Sequence, residues 1–316
     1  MYILANDGIS PSGKLKLEQN GHIVSTDTIA QENLLNEINS KSIDVLLVRS
    51  ATTIRKDIID NCPSLKMIGR GGVGMDNIDV DYARSKGKLV FNTPASSSQS
   101  VAEMVFAHLF GMARGLYDAN RKMPQTGVSD FKTLKKLYGK GKELRGKTLG
   151  IIGFGRIGQS TASYALGIGM KVLAADRFVK NVTISLNIND QNINIDINTT
   201  SIEDVLKNAD FISLHVPKQA DGSAVISDKE IEMMKDGVCL INLARGGVID
   251  EDTLIKGLDS GKISAASLDV YENEPQPRAD LLGHAKISLS PHVGAATLEA
   301  QDRIGTELAD FIIANA

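Results

Sequence analysis

Residues 148 to 176 read TLGIIGFGRIGQSTASYALGIGMKVLAAD, with Gly153, Gly155 and Gly158 in the spacing G-x-G-x-x-G. A short apolar run precedes the glycines, a helical pattern follows them, and a second apolar run ends at Asp176. The order predicts strand, tight turn, helix and strand. In such a unit the first glycine permits the turn, the second lets the backbone approach a pyrophosphate, and the third lets the helix pack closely on the strand. The helix N-terminus favours the phosphate charge. An acid about 20 residues beyond the glycines is placed to hold a ribose diol. The glycine spacing alone is a weak signal; strand, helix and acid together point to a dinucleotide. Asp176 would repel a 2′-phosphate, so NAD is the expected cofactor, with NADP left open by the neighbouring Arg177.

The chain of 316 residues is long enough for two domains with real cores, and 42% apolar content excludes a disordered chain. A net charge of -3 gives no broad basic field, so neither nucleic acid nor an anionic membrane is expected as the main partner. Cys62 and Cys239 lie far apart, each beside apolar residues, and read as buried small hydrophobes rather than as a disulfide or a metal site. No metal is expected. The N-terminus lacks a basic segment followed by an apolar one, and no uncharged apolar run reaches about 18 residues. These features lead us to expect a cytoplasmic protein.

YILA, GHIVST, DVLLVRSAT and LKMIGRGGVG read as short strands of a small α/β unit, with the helical pattern IAQENLLNEI after the second. SSSQSVAEMVFAHLFGMARGLYDAN predicts one long helix, with serine N-caps and a glutamate in its first turn, and the domain crossing is placed there. From Asn120 to Gly146 the chain is basic and aperiodic. In NVTISLNINDQNINIDINTT, isoleucines alternate with polar residues around the turn-forming NDQN, which predicts a β-hairpin, the alternative being a polar loop. After it, strands and helices alternate again, implying a parallel sheet covered on both faces.

Strand ends in such sheets are where ligands bind. Three candidates stand there: Arg245 after GVCLIN, Glu274 in DVYENEP, and His292 in SPHVGAAT. Hydride transfer between an alcohol and a ketone needs one group to move a proton, and histidine has the pKa for it. A nearby carboxylate would fix its tautomer, and an arginine would hold a substrate carboxylate by charged hydrogen bonds. His22, His108, His215 and His284 compete with His292, and Glu272 with Glu274; Arg245 has the alternative of a structural ion pair. His215, closing the strand FISLHVP, is placed to contact the cofactor.

The set GIIGFGRIG, LHVP, INLARGGVIDEDTL, LDVYENEP and SPHVGAAT resembles the D-isomer-specific 2-hydroxyacid dehydrogenase family, from the first strands to nearly the last residue. The resemblance implies two doubly wound parallel-sheet α/β domains, a Rossmann-type NAD-binding domain of residues 98–290 inserted in a smaller flavodoxin-like substrate-binding domain of residues 1–97 plus 291–316. It implies Arg245 as the substrate-orienting residue, His292 as acid/base and Glu274 as its paired carboxylate. It also implies that Arg156 and Ile157 approach the pyrophosphate, that Asp269 takes the nicotinamide carboxamide, and that Leu243, Ala244, Gly294 and Ala295 line the cofactor.

VRSAT and IGRGGVGMDNIDV resemble the phosphoglycerate dehydrogenase branch of that family. Amides around Val73 and Gly74 would bind the substrate carboxylate, with Ser50 in the neighbouring turn, and Arg49 and Arg70 would suit a phosphate ester. Ser97 stands where many members carry asparagine. The chain ends soon after ELADFIIANA, so feedback inhibition through an appended regulatory domain is not expected. The expected substrate is a small 2-hydroxy or 2-keto acid, first of all 3-phospho-D-glycerate, entering serine biosynthesis. The alternatives are a hydroxypyruvate or glyoxylate reductase, a D-lactate dehydrogenase, or an NAD-sensing binding protein like the family's corepressors. The apolar face of Ala102, Val105, Phe106, Leu109 and Phe110 resembles the family's dimer element and implies a homodimer, with an ordinary core helix as the alternative.

Overall fold

Short apolar runs become buried parallel strands throughout the computed structural model, which describes residues 1–316. The chain divides into two compact units, Met1–Ser100 with Ala295–Ala316, and Val101–Gly294. The divisions fall a few residues after those expected, so the loop carrying His292 stays with the second unit. The reason is local, since the Val293 and Gly294 amides donate to Asp269 of that unit.

In the first unit β1 (Tyr2–Ala5), α1 (Pro11–Gln19), β2 (Ile23–Ser25), α2 (Gln31–Ser40), β3 (Val45–Val48), α3 (Lys56–Asn61), β4 (Met67–Arg70), α4 (Val80–Ser85) and β5 (Leu89–Asn92) alternate. The sheet is all parallel in the order β2-β1-β3-β4-β5, the flavodoxin-like arrangement. Leu34, Ile38 and Ile58 cover one face. Leu17 and the C-terminal helix α13 (Leu298–Ala314), through Ile304, Leu308 and Ile312, cover the other. There α1 and α13 cross almost backbone to backbone, since a Cβ on Gly13 would lie 2.5 Å from the Gly305 carbonyl.

α5 begins at Ser98 and runs to Arg114, where Gly115, at φ 60°, ends it. The single long helix expected is therefore broken, and Glu103 falls beyond the first turn, which holds no acid. The stretch expected to be aperiodic folds instead as α6 (Leu116–Thr126) and α7 (Phe131–Tyr138). The period is present in α7, where Phe131 and Tyr138 stand at helical spacing around buried Leu134, but the lysines between them and the few apolar residues of α6 masked it.

The second unit continues with β6 (Thr148–Ile152), α8 (Arg156–Gly167), β7 (Lys171–Ala175), the hairpin strands β8 (Asn181–Ile188) and β9 (Gln191–Asn198), and α9 (Ile202–Asn208). Then come β10 (Phe211–Leu214), α10 (Asp228–Met233), β11 (Val238–Asn242), α11 (Glu251–Ser260), β12 (Ile263–Leu268), α12 (Ala279–Gly283) and β13 (Ile287–Leu289). Six strands pair in parallel in the order β13-β12-β11-β10-β6-β7. The chain turns back between β6 and β10, opening a crevice at the strand ends where doubly wound sheets bind ligands.

The hairpin forms as its alternation predicts, in register from Asn181 opposite Asn198 to Ile188 opposite Gln191. Asn189 and Asp190, at φ 50° and 62°, make its turn. Polar pairs such as Asn181 with Asn198, Thr183 with Asp196 and Ser185 with Asn194 hydrogen-bond across one face. Ile184 and Ile197 on the other face are buried. Beyond it the main sheet gains only a single parallel bridge, Ala175 to Thr200. Cys62 and Cys239 are buried and unbridged. No helix is long and apolar enough to cross a membrane.

Candidate active site

The glycine turn is built as its spacing demands. Gly153 adopts φ 95°, and a Cβ there would lie 2.4 Å from the His215 carbonyl oxygen. A Cβ on Gly158 would lie 2.2 Å from the Gly153 carbonyl oxygen. These two glycines serve packing. Gly155, the N-cap of α8, is exposed with open space around it, beside exposed Arg156 and half-buried Ile157. A side chain there would fill the space that a pyrophosphate needs, so the turn fits a dinucleotide. At the end of β7, Asp176 Oδ2 accepts the Phe154 N–H of the turn at 2.7 Å, and Oδ1 accepts those of Phe178 and Val179 at 2.8 and 2.9 Å. Burial pushes the Asp176 carboxyl up, but the Val179, Phe178 and Phe154 amides outweigh it and hold the pKa below the usual range. The acid expected to hold the ribose is thus ionised and locked to the glycine turn.

His215 sits behind that turn, with Nε2 2.9 Å from Ser213 Oγ and 3.4 Å from Thr161 Oγ1. Burial lowers its pKa to about 4, so the imidazole is neutral. Thr161 in turn donates to the Ile157 carbonyl in the first turn of α8.

At the ends of β11, β12 and β13, three loops carry the remaining candidates. Asn242, which sequence reasoning missed, braces the first: its Oδ1 accepts the Ala244 N–H and its Nδ2 donates to the Arg245 carbonyl. A polar amide closing an apolar strand was its only signal. Leu243 is buried and Ala244 half-buried, while Arg245 Nη1 donates to the Ala244 carbonyl at 2.6 Å.

His292 Nδ1 lies 2.7 Å from Glu274 Oε2. Glu274 Oε1 accepts the Tyr271 N–H at 2.9 Å, and the Tyr271 hydroxyl donates to the Ser290 carbonyl at 2.8 Å. An ionised carboxylate only accepts, so Nδ1 carries the proton and Nε2 is the nitrogen left to exchange one. Glu272 is engaged elsewhere, with Glu251. Of the other histidines, His22 adjoins the amino terminus, His284 faces Asp259, and His108 is buried between Ser288 and Ser290. Asp269 is 1% exposed and accepts the Ser290 hydroxyl and the amides of Val293 and Gly294. Ala295 is the first residue of the first unit's second segment.

The substrate candidates of the first unit cluster at its own strand ends. Arg49 lines a cavity of about 200 Å³ with Asp7, Ser10, Gly71 and the α13 residues Gln301 and Ile304. The loop is fixed by Asp7, whose carboxylate accepts the amides of Arg49 and Thr52 and the Thr52 hydroxyl. Asn77 adds bonds to the carbonyls of Arg49 and Thr52. Ser50 is exposed. Arg70 folds its guanidinium over Gly72, where a Cβ would lie 1.7 Å from Nη1. Val73 and Gly74 follow in the same turn, Val73 exposed and Gly74 half-buried. Ser97 is fully buried, with no hydrogen-bond partner for its hydroxyl.

The family model of the D-isomer specific 2-hydroxyacid dehydrogenase NAD binding domain matches residues 106–294. The chain is 42% identical over 292 residues to the hydroxypyruvate reductase of Thermotoga maritima, covering 92% of this chain and 89% of that one. It is 40% identical over 311 residues to the D-3-phosphoglycerate dehydrogenase of Methanocaldococcus jannaschii, covering 98% of this chain but only 56% of that enzyme. The chain thus spans about half the length of the phosphoglycerate dehydrogenases it matches. Among solved structures, the D-lactate dehydrogenase of Aquifex aeolicus, complexed with NAD and lactic acid, aligns with a TM-score of 0.78 and 29% identity over 100% of this chain and 95% of that one. With a glycine turn and acid that fit NAD and a histidine and glutamate paired at the strand ends, this chain belongs to the D-isomer-specific 2-hydroxyacid dehydrogenase family, NAD-dependent oxidoreductases.

Proposed function

We propose that the protein oxidises 3-phospho-D-glycerate to 3-phosphohydroxypyruvate, the entry step of serine biosynthesis. NAD, when bound, would supply the acceptor for the hydride that leaves C2 of the substrate. Neutral His292 takes the hydroxyl proton on Nε2, while Glu274 holds the opposite nitrogen protonated and stabilises the imidazolium that results. Arg245 offers the substrate carboxylate a charged donor. Asp269 would hold the nicotinamide carboxamide of NAD, and Gly155, Arg156 and Ile157 its pyrophosphate.

The observation that carries the phosphorylated substrate is Arg49, a cation lining a cavity at the strand ends of the first unit, in a loop clamped by Asp7 and Asn77. In this reading the first unit binds substrate, with Arg70, Ser50, Val73 and Gly74 around the same strand ends. A second reading, reduction of hydroxypyruvate, is favoured by the Thermotoga relative, 89% of whose length is matched. It uses the same residues with His292 as acid. NADH oxidation at steady state, comparing 3-phosphohydroxypyruvate with hydroxypyruvate, decides between them. Preference for the phosphorylated acid, lost in Arg49→Ala, supports the first reading; preference for hydroxypyruvate, unchanged in that variant, replaces it with the second.

A homodimer belongs to the same reading, although Ala102, Val105, Phe106 and Leu109 of the α5 face expected to meet a partner are buried within the chain; what supports it is Phe110, exposed on α5, with Leu116, Val128 and Phe131 exposed on and beside α6 and α7. Sedimentation of the purified chain tests it. A cytoplasmic site suits the two unbridged cysteines.

A further inference from the structure

We propose that His108, on α5, is a positioning residue for cofactor binding: through Ser290 it sets the Asp269 carboxylate that receives the nicotinamide carboxamide. The inference rests on that reading of Asp269 and adds the group that holds it.

His108 is buried against β13 and the loop that follows, with Nδ1 2.9 Å from Ser288 Oγ and Nε2 2.9 Å from Ser290 Oγ. Ser290 Oγ lies 2.6 Å from Asp269 Oδ1. Counting protons fixes the direction of every bond. The carboxylate can only accept, so the single Ser290 hydroxyl proton goes to Asp269. Towards His108 the same oxygen can then only accept, so Nε2 carries the imidazole proton. Burial lowers the His108 pKa against the opposing pull of Asp269, which keeps the ring neutral with that one proton. Nδ1 is therefore bare and accepts from Ser288. Three bonds run one way, from Ser288 to His108 to Ser290 to Asp269, and bonds aligned head to tail strengthen one another.

The end of this chain is where the chemistry lies. Asp269 Oδ1 receives Ser290 and the Val293 amide, which fills its two acceptor positions, whereas Oδ2 receives the Gly294 amide alone. The remaining acceptor position of Oδ2 is the place for an amide donor such as the nicotinamide carboxamide. The Val293 and Gly294 amides directly follow His292, so the same carboxylate holds the loop that presents the acid/base. A leucine or methionine at 108 would fill a helix face shared with Val105 and Met112 without burying a polar ring. An imidazole there is tolerable because both nitrogens are bonded.

The test measures dissociation constants of the purified chain for NADH, by fluorescence titration, and for ADP-ribose, which lacks nicotinamide, by calorimetry. His108→Met, of similar volume and without hydrogen bonds, is expected to weaken NADH about fivefold and leave ADP-ribose unchanged. His108→Gln, which keeps a donor at the Nε2 position, is expected to restore NADH binding, and His108→Asn, which reaches only Ser288, is not. Added to Ser290→Ala, His108→Met should cost nothing further. Equal NADH affinity in all three His108 variants, or a parallel loss of ADP-ribose, overturns the proposal. If the apolar variant does not fold, the contrast between the glutamine and asparagine variants decides the same question. Asp269→Asn separates the two levels. No loss of NADH relative to ADP-ribose there overturns the reading of Asp269, whereas a loss there with none at His108 overturns only the relay.

Discussion

A Cβ on Gly246 would lie 1.8 Å from the carbonyl oxygen of Tyr271. The turn after Arg245 and the turn before Glu274 therefore touch backbone to backbone, and the distance between the guanidinium and the carboxylate side of the site depends on that contact. Gly246→Ala must push the two loops apart. Its turnover is expected to fall by at least about 100-fold, because a misplacement of roughly 1 Å costs that much. Steady-state rates, with circular dichroism to verify folding, check it; near-normal turnover would show that the loops are not coupled in this way.

The cofactor turn separates two kinds of glycine. Gly153→Ala meets the His215 carbonyl and a φ of 95°, so it is expected to lower the melting temperature. Gly155→Ala meets nothing within 4 Å at a φ of -74°, so its melting temperature should hold while its affinity for NADH drops about tenfold or more. Melting curves beside NADH titrations test the contrast, and equal behaviour of the two variants refutes it.

Glu274→Gln keeps the shape of the partner of His292 but removes its charge. The charge-assisted bond at 2.7 Å is replaced by a neutral one, and kcat is expected to fall about 10- to 100-fold with little change in the affinity for NADH. Stopped-flow measurement of the hydride step checks it. A variant with wild-type rates would remove Glu274 from the mechanism.

His292 adopts φ 55°, a left-handed conformation that costs a non-glycine residue about 1 kcal/mol or more. Strain held at a single histidine on a loop is of use only if the ring must point one way. His292→Gly is therefore expected to abolish turnover while leaving the melting temperature equal or higher. A lowered melting temperature would mean that the residue is held for stability instead.

His215 makes stability depend on pH. Its imidazole titrates near 6.5 in the unfolded chain and at about 4 in the folded one, lowered by burial. Between these values the unfolded chain binds more protons, so its contribution is complete above pH 6.5 and is lost as the pH falls towards 4, by roughly 1 kcal/mol per pH unit. Denaturant titrations from pH 7 to 4.5 should show a shallower acid decline in His215→Asn than in the wild type. Parallel curves would contradict the buried, neutral assignment.

What the sequence made legible was local. Gly153, Gly155, Gly158 and Asp176 lie within one strand-turn-helix-strand unit, whose chemistry is written in consecutive residues, and the hairpin announced itself by strict alternation. α1 stayed hidden because it buries only Gly13, against Gly305, and Leu17, which is too little for an apolar stripe. α3 and α4 are six residues each, too short to show a period. Residue types alone left Glu272 beside Glu274, and only the family resemblance chose between them; the bond from His108 to Ser290, which spans 182 residues, needed three-dimensional contact. Asn242 and Asp7 hold loops through backbone bonds, and backbone partners leave no mark on composition.

The hairpin leaves the sheet just after Asp176 and returns at Thr200, its two ends paired at Asn181 and Asn198. A domain spliced between Asn189 and Asp190 would interrupt no strand of the parallel sheet, and its attachment points would lie next to one another. Only Arg177 to Lys180 separate that hairpin from the acid bonded to the cofactor turn. A fluorescent protein inserted at its tip would therefore be joined to that acid through β8 and four residues of chain, close to the cofactor turn yet outside the parallel sheet.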